Sequence, residues 1–303
     1  MTENRVLKNL IRARMQITGE TYTHARKSFT MEPTSQRVPS LESILSPREA
    51  AWFSSPTNAT RGGRFARVGM HLFSGLRGHG KSTTMNAVVD HLTALPGNDV
   101  PTSVIGSQKD FSINGKNSAF LEYEEMTYPS YTSQTSALDK DQQKMGWLVE
   151  KAMHRRSYYI VAHEVPSAYQ ELPYLNYEAL SYAANSGFTI FTELHSRDEE
   201  KALSWLLLDS KLRLGDACQL PLSITHTNCV YVEDKPTYIR TSIPINPDGA
   251  KAAYEGKFDE WCASEGYESS SMKIKRLVEQ GILELTVKNG SESLRYSGEN
   301  VND

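Results

Sequence analysis

One loop restricts this chain more than any other stretch. Gly75-Leu76-Arg77-Gly78-His79-Gly80-Lys81-Ser82-Thr83 fits G-x-x-x-x-G-K-[ST], the pattern of a phosphate-binding P-loop. The apolar run at 68–73 predicts a buried strand before it, and apolar residues at helical spacing predict a helix over 84–95 after it. Strand, glycine loop and helix together make the pattern a site. Gly75, Gly78 and Gly80 let backbone N–H groups face phosphate oxygens with no Cβ in the way. The helix that starts near Lys81 turns its positive dipole end toward the same anion. Lys81 supplies a charge for the β- and γ-phosphates, and the Ser82 hydroxyl is the expected Mg²⁺ ligand. The predicted nucleotide-binding set is therefore Gly75, Leu76, Arg77, Gly78, His79, Gly80, Lys81, Ser82 and Thr83, with ATP and Mg²⁺ as cofactors.

The surrounding chain alternates strands and helices from residue 64 onward, which predicts an α/β core with a mostly parallel sheet. Strands are expected at 102–106, 119–123, 158–163 and 188–194. Helices are expected at 138–155, 174–184 and 199–209. Gly187 stands just past the 174–184 helix, where a C-cap glycine belongs. Residues 230–232 and 238–243 are expected to pair as a late hairpin. Two helices, at 257–262 and 271–280, are expected in a C-terminal helical tail over 250–303. Ahead of the core, residues 1–30 read as a basic helical hairpin, and 31–63 as a linker with a short docking helix at 41–53.

Phosphate chemistry needs acidic groups near the loop. Tyr158-Tyr159-Ile160-Val161-Ala162-His163-Glu164 is an apolar strand ending in a carboxylate, the Walker B form. Glu164 is placed to polarise the attacking water or to hold Mg²⁺ through water. A second acidic cluster, Glu122, Glu124 and Glu125, follows another predicted strand, at the end of an α/β sheet where ligands bind. His195 ends the 188–194 strand, where it can hydrogen-bond a γ-phosphate or relay its presence. His79, inside the loop, is expected to be exposed. Arginines at 61, 64, 67, 77, 155 and 156 are candidates to compensate phosphate charge.

Charge is unevenly spread. The whole chain is −3, but residues 1–70 are +6 and the remainder −9. A basic N-terminal segment on an acidic body suits an anionic partner such as a membrane surface or nucleic acid. No run of 18 apolar residues predicts a transmembrane helix, and the N-terminus lacks the apolar core of a signal peptide. Three widely spaced cysteines suit a reducing compartment and offer no metal motif.

These sites, in this order, resemble the secretion-superfamily ATPases, the type II/type IV secretion, conjugation and pilus-motor family. The resemblance covers about 70–245. Tyr123-Glu124-Glu125-Met126-Thr127-Tyr128-Pro129 is similar to its acidic box, and Ile160-Val161-Ala162-His163-Glu164 to its Walker B. Ala183-Ala184-Asn185-Ser186-Gly187-Phe188 followed by Thr192-Glu193-Leu194-His195-Ser196 is similar to its His box. Ser271 to Leu283 resembles its C-terminal helix. His163 stands where the family usually has Gly, and Glu193 stands in a usually uncharged slot. The family's N-terminal sensor-like domain has no evident counterpart.

The resemblance implies a RecA-like P-loop core over 64–249 preceded by a short helical segment. It implies ATP hydrolysis in a homo-oligomeric, most often hexameric, ring that powers pilus dynamics, protein secretion or conjugative transfer. Glu164, Glu124, Glu125 and His195 would then be catalytic or supporting residues, and Ser82 and Glu164 would serve the metal. The expected setting is cytoplasmic and peripheral at the inner membrane, with secretion or pilus components as partners. A nucleotide-dependent switch with weak turnover is the alternative.

Overall fold

A computed structural model describes residues 39–53, 68–95, 100–106, 118–122, 137–162, 177–209, 212–232, 235–288 and 291–296, together with 8, 11, 12, 14–17 and 22. Strands β1 (Gly69–Gly75), β2 (Thr102–Gly106), β3 (Ser118–Glu122), β4 (Tyr159–Ala162), β5 (Thr189–His195) and β6 (Pro221–Val232) are parallel to their neighbours in the order β3-β2-β4-β5-β1-β6. Beyond β6 the same sheet takes in β7 (Lys235–Pro244), antiparallel to β6, and a hairpin of β8 (Leu283–Lys288) and β9 (Ser291–Tyr296). β9 runs parallel to β6. The expected α/β class with a mostly parallel sheet is what the molecule has.

The described helices are α1 (Leu41–Ile44), α2 (Pro47–Phe53), α3 (Lys81–Ala94), α4 (Ala137–His154), α5 (Tyr177–Asn185), α6 (Glu199–Asp209), α7 (Leu214–Ala217), α8 (Pro247–Tyr254), α9 (Phe258–Ser264) and α10 (Ser270–Glu279). They cover both faces of the sheet. Central strands in such a sheet are buried on both sides and so read as continuous apolar runs. β4 is Tyr-Ile-Val-Ala, buried throughout. Its alternate residues divide between two cores: Ile160 and Ala162 join Leu72, Ile190 and side chains of α4, α5, α6, α8 and α9, whereas Tyr159 and Val161 join Phe73, Phe191 and side chains of α1, α2 and α3.

The docking helix expected at 41–53 is two helices. Pro47 cannot donate the backbone bond a continuous helix would need, and it starts α2 instead. Ser46 and Glu49 form a reciprocal capping box there, with the Ser46 N–H and hydroxyl both donating to Glu49 Oε2. Glu49 Oε1 also accepts from the Ser242 N–H at 2.7 Å, tying α2 to β7.

The stretch after 250 differs more. It contains helices, as expected, and also the β8–β9 hairpin, which extends the core sheet. Buried Glu199 on α6 fastens it: its carboxylate accepts from the Thr241 hydroxyl on β7 and from the Ser270 N–H and hydroxyl at the start of α10. In the N-terminal stretch, Ile17 is buried in a third cluster with Val230, Val232, Ile239, Leu277 and Leu283. Cys218 and Cys262 are buried and Cys229 is half-buried. Among the described residues no helix is long and apolar enough to cross a membrane.

Candidate nucleotide site

β1 ends at Gly75, in register with His195 at the end of β5. β5 lies between β1 and β4, so the loop strand and the strand read as Walker B are both its neighbours. The carboxyl ends of parallel strands in such a sheet form the ligand crevice. The glycine loop leaves β1 here and returns as the N-terminus of α3.

The loop is tightly turned. Gly75, Gly78 and Gly80 all have positive φ. The His79 N–H donates to the Leu76 carbonyl at 3.1 Å, and the Thr84 N–H to the Gly80 carbonyl at 3.1 Å. Leu76, Arg77, Gly78 and Thr83 are exposed, Lys81 is buried and Ser82 is half-buried. The Lys81 ammonium donates to the Leu76 carbonyl at 3.1 Å and lies 3.2 Å from His195 Nδ1. An ammonium has no acceptor capacity, so this contact requires Nδ1 to accept and leaves the His195 proton on Nε2. The Ser82 hydroxyl donates to Glu193 Oε2 at 3.0 Å.

The structure thus brings together Lys81, Ser82 and His195, three residues singled out from sequence, and adds Glu193. Glu193 is buried, two residues before His195 on β5. Side chains on a strand alternate, so residues 191, 193 and 195 share the α3 face of the sheet. The Tyr177 hydroxyl donates to the Glu193 carbonyl at 2.6 Å and so anchors the strand at this residue. Glu164, Glu124 and Glu125 lie outside the described residues; Glu122 ends β3, and its side chain lies outside them too.

His79 is half-buried rather than exposed, because β6 runs close beneath the loop: its Nδ1 lies 3.3 Å from the Thr227 carbonyl. Burial lowers its pKa, the Thr227 contact raises it less, and the charges of Lys81 and His226 lower it further. The folded loop therefore disfavours the protonated ring. Below the unfolded value of 6.5, the unfolded chain binds a proton that the folded one resists, so stability falls as pH drops through that value and is level above it. His79→Gln is expected to make denaturant stability less dependent on pH between about 5 and 7. An unchanged slope would refute this account of His79.

Sequence reasoning also missed Arg240. It is buried on β7, its Nε donates to the Thr84 hydroxyl at 2.8 Å, and its guanidinium lies 5.2 Å from the centre of the Tyr238 ring. Gly80 packs close to both: a Cβ there would lie 3.5 Å from Tyr238 and 3.6 Å from Arg240. No sequence signal marked it: Arg240 shares its parity with Tyr238 and Ser242, opposite the apolar Ile239 and Ile243, and only the fold shows that this side of β7 is buried too. Of the arginines noted from sequence, Arg77, Arg155 and Arg156 are exposed.

The chemistry of the donor set fits a magnesium nucleotide. A hydroxyl and a carboxylate are hard oxygen ligands, and an ammonium and a helix N-terminus suit phosphate. Mg²⁺ keeps several waters and takes few protein ligands, so it needs no dense cluster of acidic groups. Among the described residues there is none of three or more His, Cys, Asp or Glu.

The sequence matches no protein-family model and no curated protein. Solved structures do match in three dimensions. The ATPase DotB of Legionella pneumophila aligns with a TM-score of 0.55 at 17% identity, over 80% of this chain and 62% of its own. The pilus retraction motor PilT, solved with ADP bound, aligns with a TM-score of 0.56 at 13% identity, over 82% of this chain and 65% of its own. This chain therefore spans less than two thirds of the length of either. It shares the fold of this ATPase and of this pilus retraction motor.

Proposed function

We propose that this chain binds ATP with Mg²⁺ at the 75–83 loop and hydrolyses it as a subunit of a secretion- or pilus-type motor. The convergence of Lys81, Ser82, Glu193 and His195 at the carboxyl ends of β1 and β5 carries the reading. It is supported by a fold shared with motor ATPases and by the order of the sequence motifs. Lys81 neutralises phosphate, and Ser82 faces the metal when it is bound. Glu164 activates water, and Glu124 or Glu125 supports it.

His195, already in contact with Lys81, senses the terminal phosphate through the same ammonium. The motor works as a homo-oligomeric ring, a hexamer by family resemblance, with nucleotide between subunits. It sits in the cytoplasm against inner-membrane secretion, pilus or conjugation components, with the basic N-terminal segment offered to an anionic membrane surface or nucleic acid.

Steady-state hydrolysis of Mg-ATP tests the proposal. Glu164→Gln is expected to lower kcat by about 100-fold or more while ATP still binds. Native mass measurement is expected to show a ring that ATP stabilises. ATP binding with turnover that Glu164→Gln leaves untouched would move the protein to the nucleotide-switch reading.

A further inference from the structure

We infer that Glu193 is the carboxylate that serves the metal side of the phosphate site, working through the Ser82 hydroxyl. The inference rests on the nucleotide-motor reading and assigns a residue to it. In P-loop nucleotidases Mg²⁺ is held by the loop Ser or Thr and by an aspartate on the Walker B strand. Here that strand is β4 (Tyr159–Ala162), and the sequence that follows it, His163-Glu164, has no aspartate. The carboxylate that reaches the Ser82 hydroxyl comes instead from the neighbouring strand β5.

The register explains how. Glu193 pairs with Phe73 on β1, and Phe73 and Phe191 both pack into the core beneath α3. Glu193 therefore emerges on the α3 face, one step beyond that apolar layer, level with the helix N-terminus that carries Ser82. Its peptide is pinned by the Tyr177 hydroxyl. A carboxylate buried at the edge of an apolar layer is costly to keep charged. An uncharged acceptor would hold the Ser82 hydrogen without that cost. What the carboxylate adds is negative charge next to the metal-facing oxygen.

A hydroxyl has one hydrogen and two lone pairs. Giving its hydrogen to Glu193 turns the Ser82 lone pairs outward and raises the basicity of the oxygen, as outer partners do for metal ligands. The same charge repels a bare triphosphate and attracts one that arrives with its cation. Glu193 is thus a positioning residue, and its signature is the dependence of nucleotide affinity on Mg²⁺, a quantity that a merely structural carboxylate leaves alone.

The test is calorimetric binding of a non-hydrolysable ATP analogue to the full chain, in excess Mg²⁺ and in EDTA. For the wild type, affinity is expected to be much higher with Mg²⁺. In Glu193→Gln, which keeps an acceptor for Ser82, the ratio of the two affinities is expected to shrink by about 10-fold or more. Binding in EDTA should be equal or tighter than in wild type. A ratio within twofold of wild type overturns the inference. Glu193→Ala carries the same arm if Glu193→Gln does not fold, with the same two outcomes. Wild-type chain that binds no analogue in either buffer overturns the nucleotide reading and this one together; wild-type binding with an unchanged ratio in the variant overturns this one alone.

Discussion

Lys81→Ala is expected to weaken ATP binding and to lower kcat/KM for hydrolysis by about 100-fold or more, an effect of roughly 2.7 kcal/mol on the transition state. Lys81 is buried at the first position of α3, and its ammonium is held by the Leu76 carbonyl and by His195. The charge is thus already aimed before any ligand arrives, which saves the cost of ordering a long side chain. It also lies where the helix dipole favours an anion, so the two fields add. Lys81→Arg is not a rescue, because the planar guanidinium is a larger, differently shaped donor in a closed loop.

The free protein tells a different story. Alanine removes a buried cation whose contacts with the Leu76 carbonyl and the His195 ring are both to uncharged acceptors, so unfolding by urea is expected to change by about 1 kcal/mol. The two measurements must diverge. Loss of binding in a chain with wild-type stability assigns Lys81 to the ligand; equal losses in both would make it a structural residue, and unchanged hydrolysis would end the P-loop reading.

Much of this arrangement was legible in the sequence, and the part that was not has a physical reason. The loop and its flanks were readable because each segment is local: an apolar run, three glycines and a helical period. α6 (Glu199–Asp209) and β2 (Thr102–Gly106) fell at their predicted bounds for the same reason. β6 was only partly visible. It runs from Pro221 to Val232, but its buried Ser223, Thr225, His226 and Thr227 break the apolar pattern. Ser223, Thr225 and His226 bond across strands, to His71, Ser242 and Ser74, and such pairing depends on register. The β8–β9 hairpin did carry a local signal, Asn289-Gly290 between two alternating runs, and a helical reading of the tail passed over it. Glu193 and Arg240 were hidden for the same reason. They meet Ser82 and Thr84 from 111 and 156 residues away, and no spacing rule reaches that far.

The loop glycines are unequal in the fold, which leads to the second large expected effect. Gly75→Ala is expected to destabilise the protein by roughly 3–5 kcal/mol, and Gly78→Ala by only about 1–2 kcal/mol. Gly75 has φ +143, and a Cβ there would lie 2.4 Å from the Thr227 carbonyl oxygen, a backbone atom that cannot swing aside. That carbonyl belongs to β6, which pairs with β1 immediately before the loop, so relief of the overlap has to move one strand off the other. Gly78 has φ +78 and open space around it, so alanine there meets only the intrinsic strain of left-handed backbone.

Urea unfolding of the two variants checks the difference. Nucleotide binding then separates two uses of glycine. Gly78→Ala is expected to fold and still lose affinity, because its new methyl group lies on the exposed side of the loop, where the proposed site would seat the phosphates. Gly75→Ala loses binding through the sheet beneath. Equal stability losses in the two variants would mean that β6 yields beneath the loop, and that the close approach of Thr227 to Gly75 does not set its shape.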